Sequence, residues 1–388
     1  MRHEPCWPDP HEGAARRPQP VEESDTLKTK QLLSVLSAAG LAVASLATQA
    51  APVGVAASAF TPLVTSGAFP DTPAARVDTN SASSPFSGVV SINIRYDGLS
   101  FICSGAMISP WHVATAAHCV DTNGAGSVID ITRPGNDVRV VFNASTVVGS
   151  PGRAVVTAEK VDMHPDYQGF GFCPAGVAGF CVNDDIAILR LNRTAPVDAK
   201  TYKLFGGPVS EGTTFTMVGY GTTGDGLNGY TAGPDFRIKR KGQNVFDFAE
   251  TNDEAGFSAS SAEEVWYADF DGTLADGTVV DTFCDPSVLG VAVCGASLGN
   301  DKESNIGGGD SGGPSFVLID GEYQLAANNT FGFAMGFSPR GGFGDGMGGI
   351  LFDSYRSWIS ATAVPEPGSL ALVGLSMIGL GLSRRRRA

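Results

Sequence analysis

Short β-type runs broken by turn residues fill the middle of this sequence, and they limit its fold more than any other feature. Val89-Val90-Ser91-Ile92-Asn93-Ile94, Val138 to Phe142, Ile186 to Leu191, Thr214 to Val218, Val265 to Phe270, Phe316 to Leu318 and Gly349 to Phe352 are such runs, set apart by Gly, Pro, Asn and Asp. Many short strands with this punctuation predict a barrel or sandwich and argue against βαβ units. Gly reaches 50 of 388 residues, roughly double its usual share, so tight turns should be frequent and long helices rare. A helical pattern stands out only near Asp353 to Ala361, at the end of the folded part. No internal repeat is visible, and the length suffices for two packed lobes.

Six of the seven cysteines fall into sequence-near couples, Cys103 with Cys119, Cys173 with Cys181 and Cys284 with Cys294; Cys6 stands alone. Such couples predict three disulfides formed in an oxidising compartment. No Cys-x-x-Cys spacing occurs, which sets a zinc site aside, and no metal is expected. A formal net charge of −14 leaves nothing to replace phosphate counterions, so nucleic acid is excluded as a partner.

Both ends carry export features. Lys28 and Lys30 precede an apolar run from Leu32 to Ala47 and the small residues around Ala50, the order of a secretory signal peptide. Residues 1–50 are therefore expected to be leader and signal, with true initiation near Leu27 as one reading, and 51–76 a flexible leader or propeptide. At the other end, Val364-Pro365-Glu366-Pro367-Gly368 precedes an apolar stretch from Leu370 to Leu382 and the basic run Arg384 to Arg387. Residues 362–388 resemble the PEP-CTERM sorting signal of Gram-negative bacteria. The resemblance implies passage through the periplasm, transient anchoring in the inner membrane, removal by an exosortase-type enzyme, and release or display at the cell surface. A plain membrane anchor is the competing reading, and the stretch is short for a span of about 20 residues.

Three separated segments hold the parts of a nucleophilic hydrolase. One runs from Cys103-Ser104-Gly105 to Thr115-Ala116-Ala117-His118-Cys119, where a Cys103–Cys119 disulfide would pin the loop bearing an imidazole. A second, Asn183-Asp184-Asp185-Ile186-Ala187-Ile188-Leu189, puts a carboxylate at the mouth of a buried strand. The third, Gly307-Gly308-Gly309-Asp310-Ser311-Gly312-Gly313-Pro314, allows a strained turn that presents a hydroxyl. Base, orienting carboxylate, nucleophile and oxyanion donors are the components of serine hydrolysis.

These segments, in this order, resemble the trypsin (chymotrypsin-like) family of serine proteases over about Val77 to Ser360. The resemblance implies an all-β chain of two antiparallel six-stranded β-barrels with a short C-terminal helix, the N-terminal barrel at about 77–205 and the C-terminal one at about 206–361. It implies a secreted monomeric endopeptidase that takes protein or peptide substrates and needs no cofactor. By motif, His118 is the general base, Asp185 its orienting partner and Ser311 the nucleophile, with the N–H groups of Gly309 and Ser311 as oxyanion hole. Asp184 is the alternative carboxylate, but the family's Asp directly precedes the Ile-Ala-Ile-Leu run, and strand alternation faces the two oppositely. His112 and His164 are expected to be ordinary loop residues.

The match departs from the family in several places. Arg76-Val77-Asp78-Thr79 lacks the glycines of an activation site, so Val77 is either a new N-terminus that pairs with Asp310 or part of a plain linker. Asn305 aligns with the base of the primary specificity pocket and cannot offer the charge that attracts Arg or Lys. Thr330, Phe331 and Gly332 resemble a pocket wall, with Gly332 leaving room for a bulky side chain. Gly219-Tyr220-Gly221-Thr222-Thr223-Gly224 satisfies a dinucleotide fingerprint literally, but no helix-forming run follows it to hold a pyrophosphate. The segment from Thr222 to Asp281 is longer than a minimal family member needs. Its acidic residues, Glu250, Asp253, Glu254, Glu263 and Glu264 with Asp269-Phe270-Asp271-Gly272, lack EF-hand spacing and are read as a solvated loop rather than a calcium site. A pseudoprotease that only binds, and a matrix protein that merely shares the tail, are the rival functions.

Overall fold

Alternation of side chains along each strand explains how the apolar runs build two cores. The computed structural model describes residues 65–147, 149–173, 181–251, 262–335 and 339–363. Both export segments, residues 1–50 and 364–388, lie outside the described residues, as do Cys6, Asp253 and Glu254.

Six strands, β1 (Val89–Tyr96), β2 (Leu99–Ser109), β3 (His112–Thr115), β4 (Asp137–Val141), β5 (Val155–Met163) and β6 (Ala187–Leu191), close into a barrel of order β1-β2-β3-β6-β5-β4. All of its neighbours are antiparallel. Val90, Ile92 and Ile94 of β1 point into its interior with Met107, Val113, Ala187, Leu189 and Leu191. The alternate residues Val89, Ala106, Ala114, Ile186 and Ile188 face outward into a separate core shared with the second lobe. That is why Ile186 to Leu189 is apolar without a break: it is buried on both faces, until Arg190 reaches the surface. Each such fully buried aliphatic side chain contributes on the order of 2 kcal/mol.

The second lobe uses β7 (Thr214–Gly219), β8 (Thr223–Asp225), β9 (Gly229–Ala232), β10 (Arg240–Val245), β11 (Phe248–Thr251), β12 (Glu263–Asp269), β13 (Gly272–Thr273) and β14 (Val279–Val280). It continues with helix α1 (Pro286–Leu289), β15 (Pro314–Ile319), β16 (Glu322–Asn328), β17 (Phe331–Phe333), β18 (Gly346–Ile350) and helix α2 (Arg356–Thr362). Two four-stranded sheets result, β10-β7-β15-β16 and β11-β12-β18-β17. Their edges join on both sides. An Ala327–Leu351 bridge and the bond from Phe352 N–H to Ala326 O (2.9 Å) link the end of β16 to the end of β18. Across the other side, Asp247 N–H donates to Tyr267 O at 2.9 Å and Asn244 Nδ2 to Asp269 O at 2.8 Å. The ring β7-β10-β12-β18-β16-β15 encloses Phe215, Met217, Phe246, Trp266, Met347 and other apolar residues. The chain is thus mostly β with little helix, in two barrels.

All three expected disulfides are present, with Cα–Cα distances of 6.3 Å for Cys103–Cys119, 5.1 Å for Cys173–Cys181 and 4.3 Å for Cys284–Cys294. Among the described residues no helix is long and apolar enough to cross a membrane, and the apolar run from Leu370 to Leu382 lies outside them.

The described part of the acidic segment is not a solvated loop. Its residues enter the second barrel as β11 and β12, so Glu264 and Asp269 are 3% exposed, Asp271 is 5% exposed, and Glu250 accepts the Tyr267 hydroxyl at 2.8 Å. Burial raises the Glu250 carboxyl to about 7 against the lowering effect of that hydrogen bond.

Candidate active site

His118 sits in a single 3-10 turn, Ala117–Cys119, at the end of β3, and the disulfide to Cys103 ties that turn to β2. Asp185 is fully buried just before β6 and holds the turn twice: Oδ1 accepts His118 N–H and Oδ2 faces Nδ1, both at 2.7 Å. The second barrel fixes the backbone of this residue in turn, since Asn328 Nδ2 donates to the Asp185 carbonyl oxygen at 2.9 Å. One imidazole nitrogen is therefore committed to Asp185, and the other, Nε2, lies 3.8 Å from Cys119 Sγ. The ring of Phe170 lies edge-on to the imidazole at 4.7 Å, a neighbour no motif announced.

Asp184 points elsewhere. Its φ of 56° turns its carboxylate away from His118, and Oδ1 lies 3.0 Å from Nδ1 of His164, without hydrogen-bond alignment. His164 packs edge-on against Tyr355 and Trp358 of the C-terminal helix region, and Asp184 N–H donates to the Tyr355 hydroxyl at 3.1 Å. His164 is thus a packed residue between lobe and helix, more than an ordinary loop residue. His112 likewise lies within β3, buried, with Nδ1 2.8 Å from Ser109 Oγ.

The Ser311 loop is pressed against the segment that leads to His118. Ser104 N–H donates to Ser311 O at 2.8 Å, and that carbonyl is 3.7 Å from Cys119 Sγ. Gly312 has φ 76°, and a Cβ there would stand 2.1 Å from Thr115 Oγ1 and 2.5 Å from Ala116 N. Only glycine permits this approach. Gly309, at φ 102°, has its carbonyl held by Ser104 Oγ at 2.8 Å. Among the described residues, neither the Gly309 nor the Ser311 N–H donates to a protein acceptor.

Asp310, fully buried, accepts Gly221 N–H at 2.7 Å and Gly307 N–H at 2.9 Å. Burial raises its carboxyl to about 7, opposed by those hydrogen bonds and by the charge of Arg240. The glycines that mimic a dinucleotide fingerprint are explained here: a Cβ on Gly219 or Gly221 would meet the Asp310 side chain at 2.2 or 2.4 Å. A strand, β8, follows them in place of a helix. Upstream, Arg76 is 9% exposed, paired with Asp71 at 2.5 Å, and Val77 bridges to Arg240 while Lys241 N–H donates to Arg76 O. The peptide bond between Arg76 and Val77 is held within this paired backbone.

Of the expected pocket residues, Asn305 is buried and turned onto its own loop, Oδ1 accepting Ile306 N–H at 2.7 Å. Thr330 is buried and bonded to Asn328 Oδ1 at 3.0 Å. Phe331 lies edge-on to Tyr267, at 5.3 Å. At Gly332 a Cβ would be in ordinary contact with Gly346 O at 3.6 Å, Ile306 O at 3.8 Å and the Tyr230 hydroxyl at 3.9 Å. Two aromatic residues stand nearby: Tyr230, whose hydroxyl donates to Ile306 O at 2.6 Å, and Phe333, whose ring rests on Gly346. Both were missed, because neither belongs to a recognisable string.

The trypsin family matches residues 76–232, and the PEP-CTERM protein-sorting motif matches residues 363–387. The first match takes in His118 and Asp185 and ends before Ser311. A phenoloxidase-activating enzyme of Bombyx mori is 31% identical over 116 residues, covering 26% of this chain and 23% of that one. A trypsin-like protease of Streptomyces glaucescens is 30% identical over 129 residues, covering 33% of this chain and 39% of that one. The matched stretch thus spans less than two thirds of either relative. A solved structure of HL collagenase aligns at 20% identity and a TM-score of 0.44, covering 75% of this chain and 98% of that one. Residues 76–232 thus resemble the trypsin family, and a PEP-CTERM protein-sorting motif is matched behind them.

Proposed function

We propose that this chain is an exported serine endopeptidase that hydrolyses peptide bonds in protein or peptide substrates through an acyl-enzyme, acting as a monomer. The observation that carries the reading is the double hold of Asp185 on His118, beside a Ser311 loop packed flush against the same turn. The catalytic domain spans residues 77–361, with its two lobes meeting near residue 205.

In the first half-reaction, Nε2 of His118 takes the Ser311 hydroxyl proton as Oγ bonds to the substrate carbonyl carbon. Asp185, accepting from Nδ1, keeps the correct tautomer and stabilises the imidazolium. The carbonyl oxygen becomes an oxyanion, and the N–H groups of Gly309 and Ser311 receive it, each such donor contributing about 3–4 kcal/mol in the transition state. His118 then protonates the departing amine as the C–N bond breaks. Water, deprotonated by His118, attacks the acyl-enzyme, the C–Oγ bond breaks, and Ser311 recovers its proton. No cofactor enters any of these steps.

Export fits this reading. The disulfides suit an oxidising compartment, and the sorting motif supports delivery to the cell surface or medium after processing by an exosortase-type enzyme. The buried, neutral Asn305 supports a preference not restricted to basic side chains.

A fluorophosphonate probe tests the proposal. The purified chain should be labelled stoichiometrically at Ser311, and Ser311→Ala should lose the label while keeping its fold. An unlabelled, inert wild type would favour a pseudoprotease.

A further inference from the structure

The second barrel gathers carboxylates for which the proposed hydrolysis has no use. Asp269 closes β12 and Asp271 stands two residues on, with Phe270 between them buried in the barrel core. The β13–β14 hairpin, paired Gly272 to Val280, returns the chain so that Asp281 arrives beside both. One carboxylate oxygen from each of the three lies within 4.8 Å of the other two.

Their hydrogen bonding is unequal. Asp269 Oδ2 accepts from Thr282 N–H at 2.6 Å and Phe283 N–H at 3.0 Å, and Asp281 Oδ1 accepts from Cys284 N–H at 3.0 Å. Asp271 is only 5% exposed, yet among the described residues its Oδ1 has no hydrogen-bond partner. A buried carboxylate oxygen without a donor is costly and needs a compensating charge. The charges that act on Asp271 are those of Asp269, Asp281, Glu303 and Asp247, all negative. Burial first, and these neighbours second, push its carboxyl far above the ordinary range, and burial followed by Asp269 does the same to Asp247.

We propose that Asp269, Asp271 and Asp281 bind a calcium ion that fastens the β13–β14 hairpin and the following Cys284–Cys294 loop to the end of β12. The donors are all hard oxygens, the set that Ca²⁺ accepts in irregular geometry at about 2.3–2.6 Å, two such bonds spanning a set of this size. Zinc would call for nitrogen or sulfur ligands, and Mg²⁺ for a rigid octahedron that keeps several waters. Asp281 is the more exposed member and leaves the ion a way in. Asp247, bonded to Asp269 N–H at 3.1 Å, and Glu303 stand behind and add to the negative potential.

The test uses the full chain carrying Ser311→Ala, stripped with chelator and then melted with calcium, with magnesium or with neither. Calcium at about 1 mM should raise the unfolding temperature by roughly 3–6 °C, and magnesium by much less. Equilibrium dialysis should retain one calcium per chain. Asp271→Asn should abolish the calcium shift while leaving the metal-free protein at least as stable, because it removes one of the clustered charges. Asp281→Asn, at a more exposed position, should weaken the shift without threatening the fold. No shift with calcium, an equal shift with magnesium, or a shift that survives both substitutions would overturn the proposal.

Discussion

Asp184 and Asp185 are neighbours in the chain, both are buried, and each lies beside an imidazole, yet their surroundings differ in kind. Asp185 makes two 2.7 Å contacts to His118 at the junction of the lobes, where the glycines of the Ser311 loop bring backbone within van der Waals reach. Asp184 faces away, toward His164, whose ring packs edge-on against Tyr355 and Trp358. A carboxylate beside a histidine is thus not a catalytic signature by itself. What separates the two is the hold on the imidazole: Asp185 takes both the His118 backbone N–H and Nδ1, whereas Asp184 only approaches His164 Nδ1 at 3.0 Å.

The largest expected effect breaks the cleft pair. Asp185→Asn removes the acceptor that sets the His118 tautomer, and kcat on a peptide ester should fall about 10⁴-fold with little change in KM. A fall of less than tenfold would mean that His118 does not depend on Asp185.

Asp184 offers the complementary case. Asp184→Ala loses the carboxylate beside His164 and places a Cβ-bearing residue without local polar support at φ 56°, so stability should drop by about 2–4 kcal/mol. Asp184→Asn tolerates that φ and should cost about 1–2 kcal/mol. In both variants, kcat of the folded fraction should stay within about threefold of wild type. Denaturant unfolding and active-site titration separate the two readouts. A kcat loss matching that of Asp185→Asn would show that the sequence order of the pair had been misread.

How much of this was legible beforehand follows from how local each signal is. Cys103, His118 and Cys119 share one contiguous stretch, and glycines mark the Ser311 turn, so composition within a few residues announces both. The β-type runs Val89 to Ile94 and Ile186 to Leu191 likewise announced strands β1 and β6. Tyr230, Phe333 and the Asp269–Asp271–Asp281 cluster depend on hairpins whose register no short string encodes. Asp281 meets Asp271 only because Gly272 pairs with Val280. The acidic segment was misread for the same reason: charge density along the chain predicts exposure, whereas strand pairing carried Glu264, Asp269 and Asp271 inside.

A third carboxylate sharpens the contrast, because Asp310 is as buried as Asp185 but is held only by backbone N–H groups and the field of Arg240. Its folded pKa is raised to about 7, above the unfolded value near 3.9. Between those values the folded state binds more protons than the unfolded one, so raising the pH through this window lowers stability. The contribution is fully present below about pH 4 and is lost as pH passes 7. Asp310→Asn cannot ionise, so the stability gap between wild type and variant should move toward the variant, by on the order of 2 kcal/mol, from pH 5 to pH 8. Urea titrations at the two pH values, in the Ser311→Ala background, measure that movement. A gap that stays constant would mean Asp310 is ionised throughout, and that Arg240 and the two N–H donors outweigh burial.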